Sequence, residues 1–278
     1  MSTEKLSIRR YLRDVPLPFC PGCGNFTVID CFLKAVHELG YENLRNFVFC
    51  SGIGCASWIP SPHFEADTIH TAHGRSIPVA TGVKLVRPEL DVIVFGGDGD
   101  LVGIGLSHLI HAARRNLDIT VIMVNNMIYG MTGGQVAPTT PFRAKTTTTP
   151  YGSFEHPLDA TRLIVAAGAS YVARWTTVHR EQIKEAIKDG LETKGFAFIE
   201  AVSQCPTAFG RRVGFKTVRD MLTWLKENSI PLKETKKMTE SELVGKIVVG
   251  EFVRRRLPTL TETIHEVIRG ATKSVETS

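Results

Sequence analysis

The chain has 278 residues, long enough for one large α/β domain with a tail or for two small domains. Its hydrophobic share of 43% and charged share of 22% are ordinary for a globular protein, and no apolar run approaches the ~20 residues that span a bilayer. The net charge of +5 is mild, spread through helices and tail, and no nucleic-acid-binding motif accompanies it, which argues against a nucleic-acid partner and against a membrane one.

Taken in chain order, residues 1–19 begin as a charged stretch, MSTEKLSIRRYLRD, without an apolar signal core, which predicts a cytoplasmic protein. They read as a mobile or wrapping arm that closes with Pro16 and Pro18. CPGCGN follows, with Cys20 and Cys23 on a glycine turn. A helix is predicted over 27–39, capped by Asn25 or Thr27 and stopped by Gly40. Residues 46–50 form a short strand that runs into the glycine turn Ser51-Gly52-Ile53-Gly54-Cys55. Residues 61–75 read as a loop, and a helix starting near Pro78 leads to the next strand.

Residues 90–126 are the organising stretch. Val92 to Phe95 is an unbroken apolar run ended by glycines, the pattern of a strand buried on both faces. Leu101, Ile104, Leu109 and Ala112 have helical spacing, ending at Arg114, Arg115 and Asn116, and Ile119 to Val124 is a second buried strand. A strand, a helix and a parallel strand put Asp98 and Asn125-Asn126 at the same carboxyl edge, where open α/β sheets bind ligands. Glycines beside a carboxylate, an amide and a helix start suit Mg²⁺ carrying a diphosphate. GDG followed by 25 residues and NN resembles the diphosphate-and-magnesium motif of thiamine diphosphate enzymes. That resemblance implies Asp98, Asn126 and the carbonyl of Ile128 on the metal, with Gly99 and Gly130 against the diphosphate.

About thirty residues after Asn126 are rich in Thr, Gly and Pro and predict a functional loop. Helices are then expected over 158–167 and 180–193 and strands over 170–174 and 197–202, the last delivering Cys205-Pro206. Beyond it the composition turns charged, and helices are expected near 217–227 and 240–252. The fold class is α/β, a thiamine-diphosphate-binding fold with a mainly parallel twisted sheet, helices on both faces and a C-terminal helical tail. The expected division is an arm over 1–19, a cofactor domain over 20–210 and an extension over 211–278.

Six cysteines without a secretion signal are not read as disulfides. Cys20, Cys23, Cys55 and Cys205 all lie on loops able to converge at one end of the sheet. Cys31 and Cys50 sit in a helix and a strand and read as core. By spacing alone the four loop cysteines suit zinc or iron–sulphur; a redox pair at CxxC fits the proline-rich approach poorly.

CPGCGN, SGIGC, HGR, the thiamine motif and the late CP pair, in this order, resemble the β subunit of 2-oxoacid:ferredoxin oxidoreductases over roughly residues 15–230. The resemblance implies thiamine diphosphate, Mg²⁺ and one [4Fe–4S] cluster on the four loop cysteines. It also implies CoA as co-substrate, ferredoxin as electron acceptor, and an α chain, or α and γ chains, supplying the glutamate that activates the cofactor. Ile53, Gly54, Cys55, Ala56, His73, Gly74, Arg75, Gly99, Asp100, Gly130 and Thr132 would then contact the cofactor, with His73 and Arg75 nearest the chemistry. The short chain and CPTAFGRR favour 2-oxoglutarate over pyruvate, with Lys145, Arg211, Arg212 or Lys216 for a distal carboxylate. Trp58, where a cation would suit that substrate, leaves room for a branched or aromatic 2-oxoacid. The rival readings are a non-oxidative thiamine enzyme with structural zinc and a zinc-stabilised binding module.

Overall fold

Apolar side chains that alternate between two covered faces define the strands. Phe47 and Phe49 of β1 (Phe47–Ser51) face one hydrophobic cluster, while Val48 and Cys50 face another. The same split divides Ile93 and Phe95 from Val92 and Val94 in β3 (Asp91–Gly97). Together with β2 (Asp67–His70), β4 (Thr120–Asn125), β5 (Tyr171–Thr176), β6 (Ala197–Val202), β7 (Ser229–Pro231) and β8 (Ile247–Arg254) they form one sheet of order β2-β1-β3-β4-β6-β5-β8-β7. The pairings from β2 through β5 are parallel, and β8 runs antiparallel to β5. The computed structural model describes residues 8–276, with side chains as far as residue 271.

Helices cover both faces, as a sheet buried on both sides requires. α1 (Asn25–Glu38) and α5 (Arg180–Glu192) pack Phe32, Leu33, Ile183 and Ile187 on the Phe49–Phe95 side. α2 (Ser76–Val86), α3 (Leu106–Arg114) and α4 (Ala160–Ala167) pack Ile77, Leu109 and Ile164 on the other. Cys31 and Cys50 are buried in these two clusters. The described part of the N-terminal arm wraps: Tyr11 is buried and donates its hydroxyl to the Tyr41 carbonyl at 2.5 Å, and Leu12 bridges to Phe64. The start of the arm, residues 1–7, and the last two residues lie outside the described residues. Among the described residues no helix is long and apolar enough to cross a membrane.

Four sequence expectations are corrected. β2 lies inside the stretch read as a loop; it is an exposed edge strand, so burial never imposes an apolar pattern on it. The helix expected over 240–252 is one turn, Glu240–Leu243, followed by β8; Gly245 and Gly250 have φ of +77° and +145°, which a helix cannot accommodate. β7 and β8 therefore continue the sheet, with single helical turns at Leu232–Thr235 and Glu240–Leu243 between them, and longer helices lie at α6 (Val218–Asn228) before and at Leu260–Glu276 after. The helix after β3 is broken: a π-turn over Gly99–Ile104 precedes α3, with Gly103 at ψ −108°. Lastly, α1 already begins at Asn25, so its cap is Gly24 rather than Asn25 or Thr27, without a side-chain capping bond; a Cβ at position 24 would lie 2.0 Å from Ser203 Oγ.

Candidate active site

Parallel strands end at one edge, so the segments after β1, β3, β4 and β6 meet there. Asp98, directly after β3, is almost completely buried. Its carboxylate accepts the Thr139 hydroxyl and lies against the backbone N–H groups of Gly99 and Asn126, all neutral partners. Burial pushes its carboxyl up to about 6, and those hydrogen bonds oppose the rise. A buried carboxylate with neutral partners, beside a side-chain amide, is the donor chemistry of a hard divalent cation. Asn126 Oδ1 accepts the Ile128 N–H at 3.2 Å, a local turn that keeps the segment 126–128 folded toward Asp98.

Asp100, two residues on, ties two loops together. Its Oδ1 accepts the Ile53 N–H at 3.1 Å and the Gly74 N–H at 2.7 Å, and His73 Nδ1 lies 2.8 Å from the same oxygen. The SGIGC turn and the HGR loop are thus fixed to the start of the π-turn by one buried carboxylate. Asp100 Oδ2, Ser57 Oγ and Ser76 Oγ are buried there without a hydrogen-bond partner. Such atoms are what a polar ligand would satisfy. The Tyr129 ring covers the π-turn: its hydroxyl donates to the Gly99 carbonyl at 3.1 Å, and its ring centroid is 6.1 Å from that of His73.

The four loop cysteines come together at the same edge. Gln204 holds the CPGC turn, donating from Nε2 to the Gly22 carbonyl at 3.1 Å and accepting the Gly24 N–H at 3.2 Å on its own carbonyl. Burial pushes the Cys23 thiol up to about 12, helped by the thiols of Cys205, Cys55 and Cys20. Cys55 is pushed up to about 11 by burial and then by Cys205 and Cys20. Cys205 is raised by burial and also senses Cys20 and Asp98. Thiols that raise one another's pKa in this way are neighbours, and a cationic metal centre among them would reverse the effect. Among the described residues no three His, Cys, Asp or Glu side chains already close around a single-ion position. An ideal Cβ on Gly130 would lie 3.5 Å from Asn126 Nδ2 and 3.6 Å from Cys205 Sγ, so both side chains reach the same point.

Residues 52–201 match the family model of the thiamine pyrophosphate enzyme C-terminal TPP-binding domain. The 2-oxoglutarate synthase subunit KorB of Methanocaldococcus jannaschii is 53% identical over 93% of this chain and 96% of its own length. The chain belongs to the β subunits of the 2-oxoacid:ferredoxin oxidoreductases. The Saccharolobus solfataricus β subunit of a 2-oxoacid:ferredoxin oxidoreductase is 42% identical, over 68% of this chain and 62% of its own. A solved 2-oxoglutarate:ferredoxin oxidoreductase from Magnetococcus marinus, with 2-oxoglutarate, coenzyme A and succinyl-CoA bound, superposes with a TM-score of 0.85 at 34% identity. That match covers 96% of this chain and 91% of the other. This β subunit is therefore part of a thiamine-dependent oxidoreductase.

Other sequence-predicted positions are scattered. Thr132 bonds Gln135 on an exposed turn, and Arg75 is exposed with its guanidinium on the Gly74 carbonyl. Lys145 and Arg211 are exposed, and Arg212 donates to the Gly133 carbonyl at 2.8 Å. Trp58 is 40% exposed, three residues after Cys55 of the SGIGC turn. Sequence reading missed Thr139, Tyr129 and the buried Arg174–Glu200 pair. The last had a signal: a charge in the middle of each of the apolar strands YVARWT and AFIEAV.

Proposed function

We propose that this β subunit carries thiamine diphosphate, Mg²⁺ and a [4Fe–4S] cluster and oxidises 2-oxoglutarate with CoA, passing electrons to ferredoxin. Asp98, Asn126 and the Ile128 carbonyl hold the metal, while Gly99, Gly130 and the loops at Ile53–Ala56 and His73–Arg75 receive the cofactor. Asp100 serves that site by holding both loops, and Thr132 lies on the exposed turn after Gly130. Cys20, Cys23, Cys55 and Cys205 bind the cluster. When bound, the thiazolium supplies an electron sink for decarboxylation and the cluster a one-electron acceptor.

The observation that carries this reading is the convergence of the buried Asp98 and the half-buried Asn126 with Cys205 beside Gly130. A short separation between cofactor and cluster is what stepwise electron removal needs. The chain's own residues would then do three things. The Asp100 brace holds His73 at the site, where it can contact the substrate carboxylate or move a proton. The half-buried Tyr129 ring shields the π-turn from water. Arg211, Lys216 and Lys145, all exposed, are left for the distal carboxylate, since Arg212 is tied to Gly133.

The substrate choice follows the names of the relatives, four of which are 2-oxoglutarate synthase subunits over most of this chain. A partner α chain, or α and γ chains, supplies the activating glutamate, and the complex works in the cytoplasm. The test is copurification with the partner chain, followed by CoA-dependent dye reduction over a panel of 2-oxoacids. 2-Oxoglutarate should give the highest kcat/KM; preference for pyruvate or a branched 2-oxoacid would overturn the substrate, and no iron in the preparation would overturn the cluster.

A further inference from the structure

Met127 stands between the two proposed metal-binding residues Asn126 and Ile128, and its φ of +64° is left-handed. A non-glycine residue keeps that conformation only where its surroundings hold it, and its relaxation would swing both neighbours. Here both polar groups of Met127 are held. Its N–H donates to Asn125 Oδ1 at 3.0 Å, and its carbonyl accepts the Thr140 hydroxyl at 2.7 Å. Thr140 Oγ1 in turn accepts the Ala137 N–H at 2.8 Å, which fixes the direction of the hydroxyl proton.

The orientation of Asn125 is set from the next strand. Its Nδ2 donates to Glu200 Oε1 at 2.7 Å. Glu200 is buried, accepts the Thr161 hydroxyl, and accepts Arg174 Nε at 2.7 Å; the far end of the Arg174 guanidinium pairs with Asp159. Paired with Arg174, the Glu200 carboxylate can only accept hydrogen bonds. It therefore forces the Asn125 amide to turn its NH₂ group inward and its oxygen toward Met127. A buried ion pair is a weak source of stability, so its placement behind the metal segment needs another reason.

We propose that Glu200 and Thr140 are positioning residues for the metal ion. Glu200 orients Asn125, Thr140 clamps the Met127 carbonyl, and together they preset Asn126 and Ile128 so that the ion binds without first reorganising the segment. The proposal rests on the reading of Asp98, Asn126 and Ile128 as the metal-binding set.

The experiment uses the complex with its partner chain, stripped of thiamine diphosphate and Mg²⁺. Mg²⁺ is titrated at fixed excess cofactor, and bound thiamine diphosphate is measured after gel filtration, alongside the cofactor-free melting temperature. Thr140→Val and Glu200→Gln should raise the half-saturating Mg²⁺ concentration by about tenfold, the usual order for residues that orient metal ligands, and still reach the wild-type plateau. Thr140→Ser, which keeps the hydroxyl, should load at the wild-type concentration. Unchanged midpoints in Thr140→Val and Glu200→Gln, or a Thr140→Ser midpoint as high as that of Thr140→Val, would overturn the clamp. A merely structural role would lower the plateau and the melting temperature and leave the midpoint alone. Wild-type loading that ignores Mg²⁺ would instead remove the metal assignment beneath the clamp.

Discussion

Asp100 occupies the space that Gly52 leaves empty: an ideal Cβ on Gly52 would lie 2.1 Å from Asp100 Oδ2. The missing side chain lets the carboxylate reach past Gly52, where its other oxygen, Oδ1, accepts both the Ile53 N–H and the Gly74 N–H. Asp100→Ala should take this acceptor from both N–H groups, and the buried Gly74 N–H left unpaired costs roughly 1–3 kcal/mol. The expected outcome is a lower melting temperature together with weaker thiamine diphosphate retention, measured on the same preparation.

Asp98→Ala should abolish cofactor retention, because it removes the charged protein ligand proposed for Mg²⁺. In the wild type, thiamine diphosphate with Mg²⁺ should raise the melting temperature, since a ligand that binds the folded state stabilises it by mass action. Calorimetry with and without the cofactor compares the two proteins. Wild-type retention in Asp98→Ala would show that the diphosphate does not depend on this carboxylate.

Cys205→Ser should lose iron, whereas Cys31→Ser should keep it. Cys205 neighbours three other thiols at the sheet edge, while Cys31 is packed in the core with its Sγ 3.4 Å from the Arg180 carbonyl. Iron and acid-labile sulphide per chain decide between them. Equal contents in the two variants would overturn the proposed ligand set.

Gly54→Val should disturb both cofactors. Gly54 has φ of +138° and ψ of 175°, a conformation that side chains rarely adopt, although a Cβ there would meet no atom within 4 Å. The damage comes from the backbone shift that moves Cys55 and Ile53 together. Iron, bound thiamine diphosphate and 2-oxoacid-dependent dye reduction should all fall, and wild-type values for all three would separate the two sites.

Acid stability should depend on the contact between α1 and α5. Glu38 on α1 receives Lys184 Nζ at 2.6 Å and Lys188 Nζ at 3.0 Å from α5, and these hydrogen bonds hold its carboxyl below the usual carboxylate range. A depressed folded-state pKa adds stability above the unfolded value, and that contribution disappears as pH falls through the folded one. Glu38→Gln should therefore lower the melting temperature at neutral pH by a small, salt-sensitive amount, and the difference from wild type should vanish below the carboxylate range. A difference that persists at acid pH would point to packing instead of charge.

Much of this protein is legible in its amino-acid order because short-range patterns record burial. Val92 to Phe95 and Ile119 to Val124 have apolar residues on both faces, so they had to be strands covered by helices. GDG and NN at the ends of those strands put Asp98 and Asn126 at one sheet edge, and the helix and strand positions of Cys31 and Cys50 marked them as core. Edge and terminal elements were not legible. β2 has little burial to record, and the apolar residues of IVVGEFVR fit a helix as readily as a strand until β5 supplied a partner.

What the chain order alone determined was the type of chemistry: thiol, carboxylate, amide and glycine on loops at strand ends. What only the tertiary structure decided was which of them meet. Gln204 reaches back 182 residues to seat the CPGC turn beside Cys205, and Asp100 joins two loops that begin after different strands. Glu200 orients Asn125 from a neighbouring strand 75 residues away. These contacts depend on strand order and register, which local periodicity does not encode, because a side chain's burial can be read from its neighbours in sequence and its partner cannot.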